Sequence, residues 1–160
     1  MRIPAIVLIA AALLLAAACS KRTMHTSDGQ TVTVDQKSGQ MTIEGKDGKG
    51  SKVDLNVGGK GVPLPADFPK DVPIHSKQMV QFANTQGDQR ILGITVAAPA
   101  ADTLKFYQEE LKKQGWTVDA PLGLGAGFML RAAKGDRECS LMINPNDKET
   151  FVQMSLSPKR

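Results

Sequence analysis

The sequence predicts an α+β protein: an antiparallel sheet with one helix packed on a face, in the order β-β-α-β-β-β-β, preceded by a small three-stranded β meander. Three observations lead there. Several runs between residues 74 and 160 alternate apolar and polar residues with period two. One stretch alone, from Pro99 to Gly115, repeats its apolar residues with a helical period. The connections between these segments are short and rich in turn formers, which favours antiparallel neighbours over long crossovers. Aromatic residues make up only 4% of the 160-residue chain, so the core must be largely aliphatic.

Taken in order, residues 31–57 contain three alternating runs, Thr31–Val34, Gln40–Glu44 and Ser51–Val57, joined by the turn-rich stretches Gln36–Gly39 and Lys46–Gly50. Their apolar residues (Val32, Val34, Met41, Ile43, Val53, Leu55, Val57) form one thin stripe, too small to hold a meander together without further packing. Residues 58–73 are a Gly/Pro-rich linker. Pro63, Pro65, Pro69 and Pro73 fix φ and remove amide donors, so an extended lead-in is expected, with Leu64, Phe68 and Val72 packing on the domain that follows.

The domain itself is expected over residues 74–160. Gln78–Ala83 and Ile91–Val96 flank a hairpin signal at Asn84–Gln89. Pro99 can open a helix whose Ala100, Leu104, Tyr107 and Leu111 share a face, with Glu109 pairing Lys112 or Lys113 on the wet side. Gly115 after Lys112 and Lys113 reads as its stop, with cations at the negative end of the dipole. Strands are then expected at Trp116–Val118, Phe128–Ala133, Cys139–Ile143 and Thr150–Leu156.

The N-terminal residues speak about location. Arg2 precedes an uncharged apolar run that ends in Ala16-Ala17-Ala18-Cys19. A charged start, an apolar middle and small residues before the cut make an export signal over residues 1–18, and the run is short for a membrane span. Leu15-Ala16-Ala17-Ala18-Cys19 resembles the end of a bacterial lipoprotein signal, with Ala16 where that motif has Leu, Val or Ile. The resemblance implies lipidation of Cys19 with acyl chains such as palmitate, and a polar tether over residues 19–30. Ser20 after the cysteine implies the outer membrane, the protein facing the periplasm. The C-terminal part resembles a group of small bacterial envelope lipoproteins through Asp67-Phe68-Pro69-Lys70-Asp71-Val72-Pro73-Ile74, Phe106-Tyr107-Gln108-Glu109-Glu110-Leu111 and Gly115-Trp116, with His75-Ser76 where Tyr-Pro is frequent. That resemblance brings no catalytic residues.

Chemistry-bearing patterns are sparse. With Cys19 acylated, Cys139 is the one remaining thiol, so no internal disulfide forms; alternation places it on the face of Leu141 and Ile143, as a small core residue rather than a nucleophile. The two histidines, His25 and His75, have no second ligand at strand or helical spacing, and no metal or other cofactor is expected. Gly123-Leu124-Gly125-Ala126-Gly127 leads into a strand, not a helix, which fits a hairpin loop better than a phosphate loop. The pairs Asp67/Asp71 and Glu109/Glu110 lack an apolar setting for acid–base work. A formal charge of +4, with acids and bases interspersed, disfavours nucleic acid. The function expected is therefore non-enzymatic: binding of a protein partner or an apolar ligand, with Pro63, Pro65, Phe68, Pro69 and Gly125 as candidate contacts. A scaffolding role for the meander, and a hydrolase built on Cys139 or His75, are the alternatives.

Overall fold

The computed structural model describes residues 21–46, 51–58 and 61–159; the signal segment and Cys19 lie outside them. Among the described residues, eleven strands form one open antiparallel sheet, with a single helix on one face. The strands are β1 (Lys21–His25), β2 (Thr31–Asp35), β3 (Gln40–Glu44), β4 (Lys52–Asn56), β5 (Gln78–Gln86) and β6 (Gln89–Val96), then, after helix α1 (Ala100–Lys113), β7 (Thr117–Val118), β8 (Leu122–Leu124), β9 (Gly127–Lys134), β10 (Arg137–Asn146) and β11 (Glu149–Pro158). Across the sheet they run β1-β2-β3-β4-β5-β6-β11-β10-β9, with both β7 and β8 on the outer edge of β9. The expected α+β architecture is thus the observed one.

The core lies between the sheet and α1. Leu92, Ile94 and Val96 of β6 pair with Met154, Val152 and Thr150 of β11, which pair in turn with Leu141, Ile143 and Pro145 of β10. Period-two alternation turns this row inward, and Ile94, Val96, Leu141, Ile143 and Val152 are fully buried. Helix α1 covers it with Thr103, Leu104, Tyr107 and Leu111, the i, i+4 spacing that places side chains on one stripe. The expected pairing of Glu109 with Lys112 or Lys113 does not form: Glu109 faces Lys105, and Lys113 pairs instead with Glu110 at 2.5 Å. The helix ends as predicted: Gly115 takes φ +82°, its N–H reaches the Lys112 carbonyl, and Trp116 N–H reaches that of Leu111.

The proline segment lies across the same face. Val62 N–H bonds the Val80 carbonyl, Val62 and Val72 enter the core, and Leu64, Phe68 and Ile74 pack against it. Three expectations change. Residues 21–25, read as part of a polar tether, form β1, because Thr26 and Gln30 close a tight turn in which Gly29 takes φ +79°. The meander, read as a unit of its own, continues the main sheet through β4–β5, with Leu55 opposite Phe82. The hairpin loop expected at Gly123–Gly127 overlaps β8, a three-residue strand that turns back on β9 at Gly125.

Candidate functional site

Because one register runs through the whole sheet, the face opposite α1 can be followed strand by strand. One row crosses Arg22, Val34, Met41, Leu55, Phe82, Gly93, Gln153, Met142, Met129 and Leu122. A second crosses Met24, Val32, Ile43, Val53, Asn84, Ile91, Ser155, Ser140 and Arg131. A third, shorter row runs through Met79, Thr95, Phe151 and Asn144. None of these residues is a carboxylate. The apolar stripe of the meander therefore joins apolar residues of the main sheet on one surface that no described element covers. Of the five large apolar residues that stand exposed, Met24, Met79, Leu122 and Leu124 lie on this face; Val57, at the end of β4, is the fifth.

Phe82 is the joint. Its ring lies flat over Gly93, so that a Cβ at position 93 would sit 2.1 Å from a ring carbon. A glycine inside an otherwise apolar strand is the sequence sign of such a close approach. A bulge between Val80 and Phe82 turns Phe82 to the helix-free side while Val80 stays in the core.

The opposite surface of the meander is polar. Thr42 donates to the Asp54 carboxylate at 2.6 Å, Lys52 pairs with Asp54 at 3.1 Å, and Thr23 meets Thr33 at 3.3 Å. On β1–β4 the sheet is thus apolar on one side and a threonine–aspartate ladder on the other; on β5–β11 one side is the core beneath α1 and the helix-free side mixes apolar residues with polar ones such as Gln153, Ser155, Ser140 and Arg131.

A cleft of about 370 Å³ opens at the end of the sheet under the proline segment, lined by Asp67, Pro69, Asp88, Arg90, Asp136, Arg137, Leu156, Ser157 and Pro158. Its two arginines are already engaged. Arg90 binds Asp67 and the Gly87 carbonyl. Arg137 grips Asp71 with two bonds, of 2.6 and 3.1 Å, while Lys134 reaches the same carboxylate at 2.7 Å. Arg137 also stacks on Trp116 at 5.1 Å, and the Trp116 indole donates to the Asp71 carbonyl at 2.7 Å. The Arg137 bonds hold the Asp71 carboxyl at about 2, well below the usual carboxylate range. These aspartates fasten the lead-in to the sheet and are not an acid–base pair.

The residues singled out from sequence do not converge. Phe68 is packed on the core and donates its N–H to the Pro65 carbonyl; Pro69 lines the cleft; Pro63 is exposed. Gly125 is at the β8–β9 turn, at the other end of β9 from Lys134. Cys139 is fully buried, and burial pushes its thiol up to about 12, which leaves almost no thiolate near neutral pH. His75 lies edge-on to Phe106 at 4.6 Å, accepts the Lys77 N–H at Nδ1, and burial lowers its pKa. Neither side chain has the exposed base–nucleophile geometry of a hydrolase. Among the described residues, no group of three His, Cys, Asp or Glu could hold a metal, and no helix is long and apolar enough to cross a membrane.

With this geometry in place, one comparison is informative. Residues 77–150 are similar to a START domain-like family. The matched span runs from the start of β5 through α1 to the first residues of β11. No curated protein and no solved structure matches the chain. The similarity covers β5–β10 and α1 and leaves β1–β4, the proline segment and most of β11 outside it.

Proposed function

We propose that the protein is a lipid-anchored component of the bacterial cell envelope, held by an acyl group on Cys19 at the outer membrane and facing the periplasm. It acts without catalysis, binding an apolar ligand or a protein partner on the helix-free face of its sheet. The observation that carries this reading is an apolar stripe on the helix-free face, Val34, Met41, Leu55 and Phe82 on β2–β5 with Met142, Met129 and Leu122 on β10, β9 and β8, which has nothing over it among the described residues. Contiguous apolar surface of that kind marks an interaction site on a soluble domain. The START-like span supports the reading, since such domains commonly bind apolar ligands. The space between helix and sheet is filled by side chains such as Tyr107, Leu111 and Leu141, each fully buried. Binding is therefore assigned to the outer face.

Two experiments test the proposal. Metabolic labelling with a clickable fatty acid should mark the wild-type chain and fail to mark Cys19→Ser; label absent from both removes the anchor. A photo-crosslinking amino acid at Met142, on the face, should trap a lipid or one specific protein in intact cells, and the same residue at Lys112, on the exposed side of α1, should not. Equal or absent capture at the two positions removes the binding face.

A further inference from the structure

We propose that the part of the helix-free face formed by β1–β4 lies on the lipid bilayer itself, so that the meander is a membrane-apposed platform and not a mobile appendage. This rests on the Cys19 anchor of the preceding section and goes on to name what covers the face.

The argument starts from reach. One residue, Ser20, separates Cys19 from the first residue of β1. Two residue steps of fully extended chain span about 7 Å. The polar layer on each side of a bilayer is about 5–8 Å thick, taking half the difference between its total and hydrocarbon dimensions. An acyl chain on Cys19 therefore brings Lys21 to the level of the headgroups, with no tether to carry the sheet away.

Orientation follows from the two faces of β1–β4. One carries the Thr42–Asp54 bond, the Lys52–Asp54 pair and the threonine contacts. Turning it to the lipid would strip water from an ionised carboxylate. The other carries Val34, Met41, Ile43 and Leu55 in neighbouring register positions, edged by Met24, whose side chain is 56% exposed. Arg22, on the apolar face at the edge nearest the anchor, is exposed. Basic residues at that depth meet the negative potential of anionic headgroups.

The test uses the full lipidated chain in vesicles of phosphatidylethanolamine and phosphatidylglycerol whose acyl chains carry bromine, a quencher of tryptophan emission. Met41→Trp places the probe on the apolar face and Thr42→Trp on the polar one, one residue apart; Trp116, buried, contributes the same background to both. Met41→Trp should emit further to the blue and be quenched at least twofold more than Thr42→Trp. Equal quenching, or stronger quenching at position 42, in a chain that floats with the vesicles overturns the proposal. A blue shift of Met41→Trp that grows with protein concentration in vesicle-free solution also overturns it, because a second copy then covers the face. Flotation separates the two claims. A Cys19→Ser chain that floats as well as wild type, with position 41 still quenched, removes the anchor and keeps the face on the bilayer. Anchored chains with position 41 unquenched keep the anchor and remove the platform.

Discussion

Asp71 shows how one side chain can join three parts of the chain. Its backbone carbonyl takes the Trp116 indole, and its carboxylate takes Arg137 and Lys134, so the proline lead-in, the end of the helix and the β9–β10 turn meet at one residue. The sequence showed Asp67 and Asp71 as a pair of acids without saying what they face, because their partners lie 23 and 66 residues further on. The folded pKa of about 2 lies below the unfolded value of 3.8, so between those values the unfolded state binds more protons and stability rises with pH. The shift corresponds to about 2 kcal/mol, fully present above pH 4 and lost as pH falls toward 2. In urea unfolding, wild type should therefore exceed Asp71→Asn by a constant margin from pH 7 to 5, and the margin should shrink between pH 4 and 2. A margin independent of pH down to 2 would show that the carboxylate charge contributes nothing. Gly93 makes a second point at this scale: its missing Cβ is the seat of the Phe82 ring. Gly93→Ala should cost about 1–3 kcal/mol from overpacking. Removing the ring in Phe82→Ala should make the same substitution nearly free, a coupling that a double-mutant cycle reads directly.

Elements differ in how far the sequence betrays them. Helix α1 was legible to within a residue because three independent signals coincide: Pro99 at its start, the Leu104–Tyr107–Leu111 stripe, and Gly115 after two lysines. Strands β9, β10 and β11 were legible from alternation, which put Cys139 beside Leu141 and Ile143 in the core. Strands β1 and β8 were not. Lys21–His25 is exposed along its whole length and polar except for Met24, and its identity as a strand comes from hydrogen bonds to β2, not from burial. Around β8, three glycines in the five residues Gly123–Gly127 suggested looseness, yet they do different work. Gly125 takes φ +62° with open space around it, whereas a Cβ on Gly127 would lie 2.6 Å from the Ile143 carbonyl oxygen. Gly125→Ala should cost about 1 kcal/mol, from the left-handed backbone. Gly127→Ala should cost more, because β9 must move off β10 to make room. Thermal unfolding of the two variants gives the order, and a larger loss at Gly125 would mean that the hairpin is held by its turn and not by its packing.

At the scale of the whole molecule the sheet has two economies. Every residue of the buried core comes from β5–β11, α1, Trp116 or the proline segment, and none from β1–β4. The meander is attached instead by backbone pairing of Lys52–Leu55 with Phe82–Thr85, by the Leu55–Phe82 contact, and by Gln40 donating to the Gly61 carbonyl at 2.7 Å. Sequence alternation could find its apolar stripe but not the strand it joins, because pairing between β4 and β5 is set by an edge 20 or more residues away and by the bulge that turns Phe82 outward. This division predicts that a chain beginning at Gly61 still folds cooperatively. Losing a few hydrogen bonds and one cross-strand contact should remove about 2 kcal/mol, a fall of about 10 °C in Tm for a domain of this size. The same cut bares the β5 edge from Phe82 to Thr85, with Phe82 uncovered on one flank, and an open apolar edge is a template for pairing with another chain. The truncated chain should therefore show native near-ultraviolet circular dichroism together with concentration-dependent dimers in sedimentation. Loss of the cooperative transition on truncation would instead make β1–β4 part of the folding unit, and the core would then depend on strands that contribute no buried side chain to it.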